Sequence, residues 1–504
     1  MKKQINITVN GKPRLAVAGL TVSEIINNEK PCGGHGKCGK CRVVAKGELS
    51  EASDAELKLL SSKELADGIR LACLTRALGD CEVTTLSESE QSMIVTDCSL
   101  PEFDIKPTFK KYGVAIDIGT TTIAARLFDD EGRTLGDIAR LNPQGEWGAD
   151  VISRIESAME GNSRDLAASV RGVLNEMLFQ LAADAEIAPE DIDGVVITGN
   201  TVMLSLLTVE NVEPFSHAPF DVKRLFGESI SARELDLTCL APDTSIYLPP
   251  CISAFVGADT TCAILATALR DGDTAMLADI GTNGEMALWN GGRLTVCSTA
   301  AGPAFEGVGI TMGMRGAEGA VDKVEVVDGE LFAHVIGDTE PLGICGSGLV
   351  DAVAAMLDIE VIDECGYLED DEFVIKSSVC LTPKDIRMLQ LAKSAICAGI
   401  VTLIKNEKLN GSDISALYIA GGFGNYLNKE SAAKIGLLPR ELAEISKSVG
   451  NAALGGASML LLSEKLREKA ADIAKGANLL DLSTNPTFSE QYMSGMMLEE
   501  LTLN

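Results

Sequence analysis

The sequence predicts a multidomain α/β protein: a small front domain over residues 1–88, a linker over 89–111, and a body in two related halves, 112–272 and 273–504. Three observations carry that expectation. Four cysteines, Cys32, Cys38, Cys41 and Cys73, fall in a ligand-like spacing near the start. An Asp-x-Gly-Thr turn after an apolar strand occurs twice, at Asp117 and at Asp279. The 504 residues also exceed what a single hydrophobic core usually organises.

Composition narrows the classes. Hydrophobic residues make up 46% of the chain and aromatic residues only 4%, so packed cores must be built from Ala, Val, Leu and Ile. No apolar run reaches the roughly 18 residues that span a bilayer, so no membrane association is expected. The start, MKKQINITVNGKPRL, is charged and lacks the apolar stretch of a signal peptide, which makes the cytoplasm the expected location. Net charge is −30, unevenly spread: residues 1–88 hold 13 Lys and Arg against 11 Asp and Glu, the rest 30 against 62. So acidic a body would repel phosphate backbones, which argues against nucleic acid. Ten of the 14 cysteines are scattered, and they are expected to be small buried hydrophobes rather than disulfides.

The front domain is defined by PCGGHGKCGKCRVV, residues 31–44. The spacing is Cys32-x5-Cys38-x2-Cys41, with Cys73 following in RLACLTRA. Gly33, Gly34, Gly36 and Gly39 let such a loop curl and bring backbone N–H groups close to sulfur. A structural zinc site would show two close cysteine pairs, whereas here three share one loop and the fourth stands alone. The pattern resembles [2Fe–2S] ferredoxins, and its first gap is one residue longer than the plant-type spacing. The flanks suit the β-grasp scaffold of those proteins. QINITVNGKPRLAV reads as a hairpin turning at Asn10-Gly11, TVSEIINNE as a helix capped near Thr21, and CEVTTL as a strand opened by Cys81. Lys30, Lys37, Lys40 and Arg42 beside the loop read either as a solvated face or as a docking patch for an acidic redox partner.

In the body, YGVAIDIGTTTIAARLFDDEGR (112–133) runs from an apolar strand into Asp117, the turn Gly119, Thr120, Thr121, Thr122, and a second strand. MLADIGTNGEMALW (276–289) repeats this with Asp279, Gly281, Thr282 and Asn283, which suggests duplicated halves. Each copy sets a carboxylate at a strand end beside a turn whose N–H and hydroxyl groups can cradle phosphate. The two aspartates would hold Mg2+ across a cleft, usually through water. ALYIAGGFGNYLN (416–428) adds a strand ending in Gly421 and Gly422, with Phe423 placed to approach a nucleoside. These phosphate-1, phosphate-2 and adenosine motifs resemble those of the acetate and sugar kinase, Hsc70 and actin superfamily, which implies two RNase H-like subdomains closing on ATP. FVGADTTCAILATAL (255–269) resembles the connecting helix of its sugar kinases. The likeness makes Asp259 a catalytic base or water-positioning residue; a plain helix N-terminal acid is the alternative.

A ferredoxin domain before such an ATPase resembles one family across nearly the whole chain: the reductive activators of corrinoid proteins. NPQGEWGADVISRI (142–155), TGNTVMLSLL (198–207), TAAGPAFEGVGITMGMRGAEGA (299–320), GICGSGLVDAV (343–353), LTPKDIRMLQLAKSAI (381–396) and GNAALGGASMLLLS (450–463) carry that likeness, with Pro383 standing where a polar residue is expected. The resemblance implies ATP-dependent reduction of inactive Co(II) to Co(I), with a corrinoid protein and a low-potential electron donor as partners and room for a homodimer. It implies that Cys32, Cys38, Cys41 and Cys73 hold the [2Fe–2S] cluster, Asp117 and Asp279 organise Mg2+, and Thr120, Thr121, Thr282 and Asn283 contact phosphate. Gly302, Gly346, Ser347 and Gly348 are expected along the same cleft, tight strand-to-helix packing being their alternative role. The rival expectations are a small-molecule kinase with an accessory redox sensor, a redox-gated nucleotide-dependent regulator, and an activator of 2-hydroxyacyl-CoA dehydratases. The four-cysteine motif counts against the last.

Overall fold

Apolar and polar residues alternate along QINITV, and this stretch is the first strand of the structure, a computed structural model that describes residues 4–9, 12–26, 41–60, 65, 68–85 and 98–503. The Asn10-Gly11 turn, Lys30, Lys37, Lys40, the glycine-rich loop with Cys32 and Cys38, and residues 89–97 of the expected linker lie outside those residues. The chain divides into two compact units, Met1–Glu90 with Asn142–Val170, and Gln91–Leu141 with Arg171–Asn504.

In the first unit, β1 (Gln4–Val9), β2 (Lys12–Val17), β3 (Arg42–Leu49), β4 (Ile69–Leu71) and β5 (Ala77–Thr85) form a sheet ordered β2-β1-β5-β3-β4. β1 and β5 run parallel and the other pairs antiparallel, the mixed sheet of a β-grasp ferredoxin. Ile5, Ile7, Val22, Val43, Leu71 and Val83 fill its core. The helix Val22–Ile26 is capped as expected, Thr21 Oγ1 accepting from Glu24 N while Glu24 Oε2 accepts from Thr21 N at 2.6 Å. One expectation is corrected: Cys81 does not open its strand. β5 starts four residues earlier, at Ala77, because Leu49 of β3 pairs with it there.

The second unit holds the duplication. β6 (Tyr112–Ile118), β7 (Thr122–Asp129), β8 (Thr134–Leu141), β9 (Ile192–Gly199), β10 (Glu228–Ser231) and β11 (Ser245–Leu248) form a sheet ordered β10-β11-β9-β6-β7-β8. A second sheet is built from β12 (Ala275–Ile280), β13 (Gly284–Asn290) and β14 (Arg293–Thr299). Three later strands complete it: β20 (Ala416–Ala420), β21 (Ser446–Gly450) and β22 (Ala477–Leu479). Its order is β21-β20-β12-β13-β14-β22. Each sheet thus has three antiparallel strands followed by two parallel ones, the RNase H-like plan. β15 (Ala320–Val327), β16 (Glu330–Val335) and β17 (Gly343–Ile344) make a small extra sheet, and β18 (Phe373–Lys376) with β19 (Val379–Leu381) a ribbon.

Five helices of this unit matter to the site or the core: α1 (Thr201–Thr208), α2 (Ala258–Ala266), α3 (Gly346–Asp358), α4 (Pro383–Asn406) and α5 (Ala452–Leu462). Pro383 is the first helical residue of α4, where its missing N–H costs nothing, and Thr382 and Asp385 close a capping box around it. α2 and α5 cross at backbone distance, since a Cβ on Gly456 would stand 2.1 Å from Cys262 O. Residues 98–111, within the expected linker, are fastened to α5. Lys106 N donates to Leu462 O at 2.8 Å and Thr108 N to Leu461 O at 2.9 Å. Phe109 is buried over Gly113 and Gly194, where a Cβ would meet its ring carbon at 2.4 Å and its Cβ at 2.7 Å respectively. Of the scattered cysteines, most are buried as expected, but Cys365 is exposed.

The helix crossing gives a stability test. Gly456→Ala should cost about 1–3 kcal/mol by forcing α2 and α5 apart. Gly172→Ala, in an exposed helical position with nothing within 4 Å of its Cβ, should gain about 0.5–1 kcal/mol. Urea unfolding of the two variants beside the parent chain reads both signs.

Candidate functional site

Cys41 immediately precedes β3 and Cys73 follows β4, and the two Sγ atoms lie 3.1 Å apart, beyond disulfide bonding distance. The loop carrying Cys73 is held by Glu56, whose fully buried carboxylate takes Arg70 Nε at 3.0 Å, Leu71 N at 3.1 Å and Thr75 Oγ1 at 3.0 Å. Burial alone would raise the Glu56 pKa, but these bonds, Arg70 first, outweigh it and hold the group below its ordinary value. Across the cysteine pair, the hydrogen bond with Cys73 lowers the Cys41 thiol to about 6 against the opposing effect of burial. Two sulfurs this close, one poised as thiolate, suit ligation of iron.

The second unit contains a cavity of about 330 Å³. Asp117 and Asp279 are each the penultimate residue of their strands, β6 and β12, and both line it. The following turns are alike: Gly119 N donates to Thr122 O at 2.9 Å, and Gly281 N to Asn283 O at 3.0 Å. All of Gly119, Thr120, Thr121, Thr122, Gly281, Thr282 and Asn283 line the cavity, with Asp259, Gly346, Ser347, Gly421, Gly422 and Phe423. Gly421 has φ +90°, and a Cβ there would stand 2.9 Å from Asp279 Oδ1, so only glycine fits. Phe423 stacks on Phe305 at 4.6 Å between ring centroids.

Two expected cleft residues are not among those lining it. Gly348 serves packing instead, because a Cβ would come within 2.2 Å of Val321 O. Gly302 sits one step back, at φ +81°, donating its N–H to Thr282 O at 2.8 Å.

Several lining residues lie within the quoted stretches but are given no role there. Asn200 caps α1 through Met203 N at 2.9 Å and donates Nδ2 to Thr120 Oγ1 at 3.3 Å. Asn451 caps α5 through Leu454 N at 2.8 Å and donates Nδ2 to Asp117 Oδ2 at 3.1 Å. Each follows a glycine that ends a strand and precedes an apolar helix, a capping signal visible in the sequence. Glu285, Glu306, Arg315, Phe305 and Tyr426 also line the cavity. α2 and α3 have no bond from an N-cap side chain, although Thr260 N at the start of α2 is taken by Asp259 Oδ1.

The carboxylates are electrostatically strained. Burial first, then Asp259 and Asp279, push Asp117 up to about 7 against the hydrogen bond from Asn451. Burial with Asp259 and Glu306 raises Asp279 to about 7 as well. Burial lifts Asp259 to about 6, although Thr260 N bonds its Oδ1 at 2.7 Å. Glu285 is raised well above the ordinary range by burial and by Asp259 and Asp279. Among the described residues no three of these groups converge closely enough to chelate a metal directly. Their chemistry fits a hydrated Mg2+ held through its waters.

The fold and site define a class: an iron–sulfur ferredoxin domain joined to a nucleotide-cleft ATPase of the acetate and sugar kinase, Hsc70 and actin type. Residues 273–504 match the family described as the C-terminal domain of RACo, the ASKHA domain; residues 112–272 match the RACo middle region; and residues 7–78 match the 2Fe-2S iron-sulfur cluster binding domain. The corrinoid activation enzyme RamQ of Eubacterium limosum is 36% identical over 77% of this chain and 70% of its own. The [Co(II) methylated amine-specific corrinoid protein] reductase of Methanosarcina barkeri is 27% identical over 76% of each. A solved structure titled reductive activator for corrinoid,iron-sulfur protein covers 98% of both chains at 28% identity with a TM-score of 0.71. This chain belongs to the family of reductive activators of corrinoid proteins. Its cofactors are a [2Fe–2S] cluster and ATP with Mg2+.

The raised carboxylates predict a pH signature. Protons held up to about pH 7 stabilise the folded chain at low pH, and that contribution is lost as pH rises through the folded pKa values. Mg2+ binds the ionised form, so its stabilisation should grow with pH. The rise in Tm caused by saturating Mg2+ should be larger at about pH 8 than at about pH 6. Asp117→Asn should flatten the difference, as differential scanning fluorimetry can measure.

Proposed function

We propose that this chain returns a corrinoid protein from its inactive Co(II) form to Co(I), delivering one electron from its [2Fe–2S] domain and coupling the step to MgATP in the cleft of its second unit. The observation that carries the reading is one polypeptide that pairs the ferredoxin cysteines with a carboxylate-lined cavity between two duplicated Asp-x-Gly-Thr turns. In this reading Cys32, Cys38, Cys41 and Cys73 hold the cluster, which supplies a one-electron carrier. The spacing of the four and the approach of Cys41 to Cys73 support it.

Asp117 and Asp279 orient the hydrated cation, one from each half. The backbone N–H groups of Thr120, Thr121, Thr282 and Asn283 and the start of α3 receive the phosphates. Phe423, braced by Phe305, faces the nucleoside, and Asp259 at the head of α2 positions or deprotonates the attacking water. ATP is needed on energetic grounds. Plant-type clusters lie near roughly −400 mV, so a protein-bound Co(II)/Co(I) couple ~120 mV lower costs about 2.8 kcal/mol per electron. The donor is accordingly a low-potential one. The cytoplasm is the location that suits the chain. Its one described helix with the length and hydropathy to cross a bilayer, α4, has 83% of that window buried inside the protein.

The test is anaerobic reduction of a corrinoid protein with a low-potential donor and ATP, followed by loss of the Co(II) absorbance. Asp117→Ala should slow the ATP-dependent rate by roughly 100-fold or more, the scale of losing a charge-stabilising group in a dry site. Cys73→Ser should abolish the visible cluster spectrum and the reduction while leaving ATP hydrolysis in place. An Asp117→Ala protein that reduces cobalt at the parent rate would sink the role of this cleft.

A further inference from the structure

Glu306 ends the short turn Pro303–Glu306, between Gly302 and Gly307, both at positive φ. Each of its carboxylate oxygens is engaged. Oε2 accepts from Thr121 Oγ1 at 2.5 Å, and Oε1 accepts from Thr282 Oγ1 at 2.6 Å. Thr121 stands in the turn after β6 and Thr282 in the turn after β12, so a single side chain joins the two loops that the sequence marks for phosphate. The lengths are those of charge-assisted O–H···O bonds. The turn has little freedom, because Phe305 stacks on Phe423 and its carbonyl oxygen abuts Gly346, where a Cβ would stand at 2.1 Å.

The hydrogen count has a chemical consequence. A threonine hydroxyl has one hydrogen and two acceptor lone pairs. With that hydrogen given to Glu306, the oxygen can only accept. Phosphate oxygens of a nucleotide also only accept, so such a hydroxyl cannot bond them. It can meet a cation, or a water that a cation has polarised.

We propose that Glu306 is a positioning residue for the divalent cation of the bound nucleotide: it draws the hydroxyl hydrogens of Thr121 and Thr282 toward itself, so that both oxygens receive the cation or its water shell. Phosphate is left to backbone N–H groups and helix ends. The inference rests on the cleft being a MgATP site, and it replaces the sequence expectation that these two hydroxyls contact phosphate. It also gives the cation neutral oxygen contacts, one from each half, beside the strained carboxylates.

The experiment uses the full-length, cluster-loaded protein. In Glu306→Gln the amide can still span the loops, but it donates to one threonine and turns that hydroxyl hydrogen back toward the cleft. Thr282→Val removes an oxygen, and Thr282→Ser keeps it. ATP hydrolysis is measured against free Mg2+ at saturating ATP, Mn2+ binding by electron paramagnetic resonance in the presence of ADP, and ADP binding in chelator. Glu306→Gln and Thr282→Val should raise the half-saturating Mg2+ and weaken Mn2+ binding by roughly tenfold or more, the usual effect of a lost supporting contact at a metal. Metal-free ADP affinity and the cluster spectrum should hold, and Thr282→Ser should behave as the parent. Should Glu306→Gln not fold, Thr121→Val takes its place beside Thr282→Val. Unchanged metal dependence with weakened metal-free ADP binding would assign the hydroxyls to phosphate and overturn the proposal. No change in either would reduce Glu306 to a structural tie and overturn it equally. A parent protein that binds no nucleotide at all would instead sink the underlying reading of the cleft.

Discussion

Two aspartates at matching strand ends, walled into one cavity with little positive charge to meet them, set the terms for the rest of the second unit. Asp117, Asp259, Asp279, Glu285 and Glu306 line the cavity, and Arg315 is the single basic residue among its described lining. Such a concentration of half-buried acid is unstable by itself, and the pKa values of Asp117, Asp259 and Asp279 rise accordingly. Beside them, four helices begin at the same cavity, marked by Asn200, Asp259, Gly346 and Asn451. Their N-terminal ends favour negative charge. A free cation would satisfy only the carboxylates, and a free anion only the helix ends. A metal–nucleotide complex presents both charges at once, so the site's own polarity selects it.

The duplication explains how that polarity is built with so few specialised residues. Each half contributes a strand ending in Asp, a tight glycine–hydroxyl turn, and a strand–Gly–Asn–helix junction whose asparagine caps the helix. The asparagines then diverge in use: Asn200 bonds the first turn through Thr120, whereas Asn451 bonds Asp117 itself. α5 thereby runs from the cleft, at Asn451, to Leu461 and Leu462, whose carbonyls accept from Thr108 N and Lys106 N.

Legibility from sequence followed the range over which each residue acts. The three clustered cysteines, the two Asp-x-Gly-Thr turns and the Gly421-Gly422 strand end were readable because each motif is made of neighbours in the chain. Glu306 was not. Its partner Thr121 lies 185 positions away, and nothing in GPAFEG distinguishes a carboxylate that ties two loops from one facing solvent. Asn451 acts on Asp117 across 334 positions. Its capping signal could have marked a helix start but not the aspartate it would meet. Gly302 and Gly348 misled for the converse reason: glycine near a motif signals close approach without saying to what, and at Gly348 the neighbour is the Val321 carbonyl rather than a ligand.

The first unit poses the complementary problem, that of holding sulfur rather than oxygen. Two cysteine sulfurs must be held side by side, and beside them the chain places a buried ion pair. Glu56 and Arg70 meet inside the domain, and the remaining lone pairs of Glu56 accept from Leu71 N and Thr75 Oγ1, on either side of Cys73. Breaking such a pair strands a buried charge, which is far costlier than never forming it. The loop therefore has a strong preference for one arrangement, with Cys73 Sγ beside Cys41 Sγ. A centre that exchanges single electrons gains from that rigidity, since little reorganisation is then needed as its charge changes. In this chain that rigidity is supplied around Cys73 by Glu56 and Arg70, whose bonds reach both sides of the cysteine.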